Sequence, residues 1–218
     1  MCNRYSLRAG QAAIKVRTRF ERDFAGNMPP MTGIFPDYPA PVVHNSTEGR
    51  TLSMARWGLP SPAFALQGRT SDSGITNVRN VKSSHWRRWL GVEDRCLVPF
   101  TSFSENETLP DGSKPPLWFA FDDSRPLAFF AGIWVPQWKS VRKVKEGETT
   151  NDLFAFLTGE ASADVKPIHP QAMPAILTTK EEWDTWLQGN ESEAMRLQRP
   201  LRDGMLNIVA RGGKQDGE

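Results

Sequence analysis

The chain is poor in the residues that most readily declare a function. Its 218 residues include two cysteines, three histidines and two tyrosines. Cys2 and Cys96 are too few for a disulfide framework. With the scattered histidines they also lack the close ligand spacing that holds a structural zinc. CxxC, HExxH and a glycine-rich loop ending in Gly-Lys-Ser/Thr are all missing, so no metal or cofactor is expected. No apolar run approaches the length needed to cross a bilayer, so no membrane partner is expected. The opening MCNRYSL has neither a hydrophobic stretch nor a small-x-small cleavage site. The expected location is therefore cytoplasmic, with both thiols reduced. The formal net charge is only +2, so overall charge does not announce nucleic acid.

What is present describes a globular chain. Hydrophobic residues make up 39% and charged residues 24%. The length suits one domain, taken as residues 1–211, with a glycine-rich tail at 212–218 expected to be disordered. Ala13, Val16, Phe20 and Phe24 recur at helical spacing and predict a helix over 11–24. Five prolines between Pro29 and Pro41 predict an irregular stretch. Strands are predicted at 51–57, 95–100, 118–121, 127–135, 153–158, 174–178 and 205–210. In TTKEEWDTWLQG, Thr179 and Glu182 form a capping box, and Trp183, Trp186 and Leu187 form the buried stripe of a helix that Gly189 ends. Strands cluster in the middle instead of alternating with helices. That order predicts an α+β fold: a largely antiparallel sheet or open β-barrel-like core, flanked by a few helices.

Two stretches combine cations with tryptophan and contain no acid. One is RNVKSSHWRR, holding Arg79, Lys82, Arg87 and Arg88; the other is WKSVRKVK, from Trp138 to Lys145. Such mixtures suit a groove that binds phosphates and stacks bases. Cys2 has a different kind of promise. If Met1 were trimmed, Cys2 would carry an α-amine and a thiol on adjacent carbons. The amine can condense with an aldehyde, and the thiol can then close a thiazolidine ring. No internal cysteine has that chemistry.

Five segments belong together: Met1-Cys2-Asn3-Arg4-Tyr5; Arg56-Trp57-Gly58-Leu59-Pro60; Thr76-Asn77-Val78-Arg79; the run from Arg95 through Pro99 to Phe103-Ser104-Glu105; and Ile168-His169 followed by Met173-Pro174. In this order they resemble the SOS-response-associated peptidase family, the abasic-site processing proteins, from residue 1 to about residue 174. The resemblance implies a sensor that binds single-stranded DNA and crosslinks covalently to abasic sites, gathering at the nucleoid on damage; separately, a monomer is expected. It implies that Cys2 is the crosslinking residue, that Asn77 positions the amine or the sugar, and that Glu105 and His169 are catalytic. Arg4 and Arg79 then line the phosphate path. Composition alone, not the resemblance, adds Lys82, Arg87, Arg88 and Trp57 as expected DNA contacts. It also implies that Met1 is removed, by self-catalysis or otherwise.

The residue types suit that chemistry. A histidine can protonate the ring oxygen of a closed deoxyribose, because it titrates near working pH. An α-amine with an ordinary value of about 7.7–8.0 keeps a useful neutral fraction. A carboxylate can carry its proton away. Alternatives are an N-terminal-cysteine amidohydrolase and a non-catalytic single-stranded DNA-binding module. His44 and His85 belong to no motif, and Cys96 reads as a small buried hydrophobe. The chain also departs from the family pattern. Asn3 replaces a common glycine, Val81 a glutamate, and Asn106 an aromatic residue. The segment from His169 to Pro174 is one residue longer than usual and lacks an arginine.

Overall fold

The computed structural model describes residues 2–217. Met1, expected to be removed, and Glu218 of the tail lie outside them. Along the chain run strands β1 (Arg4–Leu7), helix α1 (Gln11–Thr18), β2 (Arg22–Asp23), β3 (Met31–Ile34), β4 (Pro39–Ser46), β5 (Gly49–Trp57), α2 (Ala63–Leu66), β6 (Asn77–Val78) and α3 (Ser84–Arg87). Then follow β7 (Arg95–Phe100), β8 (Ser102–Asn106), β9 (Pro116–Ala120), β10 (Ala128–Val141), β11 (Glu148–Gly159), β12 (Met173–Pro174), β13 (Ile176–Leu177), α4 (Lys180–Gln188), α5 (Glu191–Met195) and β14 (Asn207–Arg211).

The strands form two sheets. The smaller has the order β14-β9-β8-β1-β3, and the larger runs β12-β11-β10-β7-β4-β5-β2. Most pairings are antiparallel. The exceptions are β2 with β5 and β11 with both β5 and β6. This is the α+β architecture expected from the strand clustering. Aromatic side chains fill the seam between the sheets. Tyr5 of β1 packs edge-on against Trp57, Phe130 and Phe156 from the larger sheet, at centroid distances of 5.1, 5.8 and 6.0 Å. Such pairs add to the burial of the rings themselves.

Several sequence expectations need correction. The first helix stops at Thr18, because Arg19 adopts a left-handed conformation (φ 54°) and the chain then pairs with β5. Its inner face is Ile14 and Thr18. Of the predicted stripe, Phe20 is buried, but it lies past the end of the helix, while Val16 is 78% and Phe24 69% exposed. The proline-rich stretch is not irregular: it holds β3 and the start of β4. Pro39 and Pro41 lie opposite Arg56 and Met54 of β5. The other neighbour, β7, pairs with β4 at Val43 and His44, beyond both prolines. A missing N–H is tolerated where no second strand asks for it. The predicted strand at 174–178 is two short strands, β12 on β11 and β13 on β10. At α4, Thr179 accepts from the Glu182 N–H, while the Glu182 side chain reaches one residue further back than a capping box, to the Thr178 N–H.

The tail differs from expectation too. Asp216 is buried and accepts hydrogen bonds from Arg125 (2.7 and 2.9 Å) and Ser102 (2.7 Å). Its N–H donates to the carbonyl of Thr32 on β3. A glycine-rich composition hid one acid with a paired buried site.

Candidate active site

The site forms where the two sheets meet. Cys2 lies two residues before the start of β1, and β1 pairs with β8 in the register Arg4↔Ser104 and Ser6↔Ser102. That pairing carries Glu105 beside Cys2. Asn77 arrives from the larger sheet, where β6 pairs in parallel with β11 (Asn77↔Phe156). Its side-chain amide donates to the Cys2 carbonyl at 2.7 Å and to the Thr76 hydroxyl at 2.8 Å. The remaining Asn77 oxygen is buried without a hydrogen-bond partner. Asn77 thereby fixes the backbone of Cys2.

Cys2 is fully buried, and its thiol donates to the Arg4 carbonyl at 3.2 Å. Burial pushes the thiol well above its usual value, and the nearby Glu105 charge pushes it further. Burial likewise raises Glu105 to about 7. A carboxyl poised there exchanges protons readily at neutral pH. Tyr5, which sequence reading missed as a site residue, has a buried hydroxyl without a hydrogen-bond partner; burial and the Cys2 charge raise its titration. The only sequence hint was its place in the opening motif.

His169 sits on the loop that leads into β12, and β12 pairs with β11 at Thr158↔Pro174. Its Nδ1 lies 3.0 Å from the carbonyl and 3.3 Å from the N–H of Ala172. When Nδ1 is protonated it donates to the carbonyl, and when it is bare it accepts the N–H. The backbone thus holds the ring in one orientation through a change of proton. Burial lowers its titration, and the Arg79 charge adds to that.

The expected DNA contacts divide. Arg79, Lys82, Arg87 and Arg88 are exposed. The Arg88 guanidinium lies 3.8 Å over the Trp89 ring and 6.0 Å from Trp138, so the two cation–tryptophan stretches of the sequence touch in space. Arg4 is half-buried, and its Nη1 donates to Asn106 at 3.4 Å. Trp57 is a correction: it is fully buried, with its indole N–H on the Thr76 carbonyl, and presents no face to a base. Arg142, in the second basic stretch, is also buried and structural. It bonds Asp37 and the carbonyls of Gly58 and Ser73. Gly58 of the Trp-Gly motif has φ +138°, and a Cβ there would overlap that guanidinium. His44 is buried and stacked 3.6 Å from Trp134, and the His85 ring bonds the Pro60 carbonyl. Cys96 is buried. Among the described residues no helix is long and apolar enough to cross a membrane.

Comparison with known proteins bears on the fold and the family. No curated protein matches the chain. A solved structure from Bordetella bronchiseptica superposes with a TM-score of 0.71 at 18% identity, covering 94% of this chain and 97% of the other. One from Bacteroides thetaiotaomicron gives 0.67 at 22% identity, covering 94% and 90%. A phage-related protein of Bordetella bronchiseptica gives 0.66 at 18% identity, covering 94% and 92%. At these identities the likeness concerns the fold. The model of the SOS response associated peptidase (SRAP) family matches residues 1–210. The chain belongs to that family, whose name ties it to the response to DNA damage.

Proposed function

We propose that this protein senses abasic sites in single-stranded DNA and traps them covalently through Cys2 after loss of Met1. The observation that carries the reading is the pairing of Cys2, its thiol held protonated by burial, with Glu105, whose carboxyl titrates at about 7. A cysteine hydrolase needs a thiolate as first nucleophile, and this pocket opposes one. In the proposed reaction the amine acts first.

The ring-opened deoxyribose presents an aldehyde. The C1–O4 bond breaks as His169 gives a proton to the ring oxygen, and the C1 hydroxyl returns its own proton to the imidazole as it becomes the aldehyde. The neutral Cys2 amine attacks the aldehyde carbon, forming a C–N bond, and Glu105 takes the proton the nitrogen sheds. Glu105 delivers that proton to the former carbonyl oxygen, giving a hydroxyl, and then carries the second nitrogen proton to that hydroxyl, so the C–O bond breaks, water departs and a neutral imine remains. The thiol then adds across the C=N bond, sulfur to carbon and proton to nitrogen, closing the thiazolidine. Asn77 holds the Cys2 carbonyl throughout. The same carboxyl can run these transfers backwards, which allows slow release. While Met1 is attached, the Cys2 nitrogen is an amide and no step can begin.

The test mixes purified protein with a uracil-containing single-stranded oligonucleotide pretreated with uracil glycosylase, and resolves the products on a denaturing gel. A slower band that survives heating is expected from a chain whose mass shows Met1 removed. Cys2→Ala should give that band only after borohydride trapping, because an imine forms but no ring closes. Absence of any band between pH 6 and 8 removes the proposal. Peptide turnover without DNA would favour the hydrolase instead.

A further inference from the structure

One side chain outside all the matched motifs reaches into one of them. Gln198 lies just beyond α5, 119 residues from Arg79 in sequence. Its side-chain amide donates one N–H to the Arg79 carbonyl at 2.7 Å and the other to the Thr158 carbonyl at 2.8 Å. Strand β6 ends at Val78, opposite Leu157 of β11. Gln198 therefore supplies the next rung: it joins the chain just past β6 to the next carbonyl of β11. The backbone of Gln198 is itself fixed by its N–H to the Met195 carbonyl. Its neighbour Arg199 is anchored by an ion pair to Glu182 of α4.

That rung sits at a functional junction. Thr158 is also the residue where β12, carrying the His169 loop, pairs with β11. Arg79, Thr158, Gln198 and Arg199 line a cleft of about 430 Å³ beside it. A planar amide with two N–H groups, at this reach, is a feature of glutamine alone. Asparagine is one carbon shorter, and ionised glutamate has no donor.

We infer that Gln198 is a positioning residue that sets the Arg79 segment against β11, and so places the Arg79 cation for the DNA strand next to the His169 loop. The inference rests on the proposed DNA chemistry for its consequence. The positioning itself is measurable without DNA.

Two measurements on Gln198→Met, which keeps the volume and removes both donors, decide it. The first is hydrogen exchange at residues 79–82 in the free protein. Exchange should rise there while the core strands stay protected; unchanged exchange overturns the inference. The second is binding and crosslinking of the abasic oligonucleotide. Affinity should fall roughly fivefold, as expected when one well-placed hydrogen-bonded group is lost. The crosslinking rate at saturating DNA should stay within about twofold, because Gln198 touches no reacting atom. The double variant with Arg79→Ala should bind no more weakly than Arg79→Ala alone, because both act through one cation. Additive losses, or normal affinity despite faster exchange, overturn the inference. If Gln198→Met does not fold, Gln198→Glu is read the same way. If the wild type makes no crosslink while exchange responds as expected, the DNA reading fails and the positioning of the Arg79 segment stands.

Discussion

Glu105 shows how burial turns an ordinary carboxyl into a proton carrier with a cost to the fold. Its carboxyl titrates at about 7 because burial disfavours the charge. In an unfolded chain it would titrate near the ordinary 4.5. Between these values the folded state binds the proton that the unfolded state has released. The stabilising contribution of the neutral carboxyl is complete below about 4.5 and is lost as pH rises through about 7. At about 1.4 kcal/mol per unit, the difference is on the order of 3 kcal/mol. Glu105→Gln keeps a neutral polar group at every pH. It should flatten the decline in thermal midpoint between pH 5 and pH 8 while sharply slowing the crosslink. Parallel midpoint curves for wild type and variant would show that the carboxyl is not raised. That Asn77 and Glu105 lie beside Cys2 was legible only through the family resemblance, which joins their three short motifs. Asn106 and Gln198 were not, because their partners lie 102 and 119 residues away. Trp57 was misread because composition does not say which side of a strand an aromatic faces.

Strand β10 makes the same point one level up. From its last residues onward the chain reads as a basic, tryptophan-bearing surface, yet Arg142, just past its end, is turned inward and joins the loops at Gly58 and Ser73 to Asp37. Burial would raise Asp37, but hydrogen bonds from Arg56, Lys143 and Arg142 hold it down to about 2. Folding is therefore favoured by this carboxylate above its ordinary 3.8, and the benefit is lost as pH falls towards about 2. Arg142→Leu leaves two carbonyls without that donor and removes one partner of a buried pair, which typically costs about 3–5 kcal/mol. Lys143 contacts the same Asp37 from a half-exposed position, and Lys143→Ala should change stability by less than about 1 kcal/mol. Urea unfolding of the two variants checks the contrast, and equal losses would contradict it. Strand and helix types were largely legible from periodicity. The ends were not: Arg19 stopped the first helix through a backbone conformation that no hydrophobic pattern encodes.

At the scale of the molecule, the segment after β14 decides how the smaller sheet is held together. Its Gly212 N–H donates to the Pro116 carbonyl at the start of β9, and the Trp118 indole donates to the Gly213 carbonyl. On the far side, Thr32 of β3 bonds Gln215 and accepts from the Asp216 N–H. Between these ends, Asp216 meets Ser102 of β8 and the guanidinium of Arg125, with Ser6 of β1 and Arg8 close by at 3.5 and 3.4 Å. The tail thus crosses the sheet and pins the two strands that bring Cys2 and Glu105 together. Burial opposes the Asp216 charge, but the Arg125 and Ser102 hydrogen bonds and the Arg8 charge keep the carboxyl below its usual range. Asp216→Asn preserves the shape and removes the charge that Arg125 needs. Breaking one partner of a buried pair predicts a loss of roughly 3 kcal/mol in guanidinium unfolding at pH 7. Because the lowered carboxyl stabilises the fold above its ordinary value, the gap between variant and wild type should narrow as the pH is brought below 4. Removal of residues 212–218 should cost at least as much, and should slow the crosslink by loosening β1 against β8. Full stability and full crosslinking without those residues would mean that the strand ladders alone hold Cys2 in place.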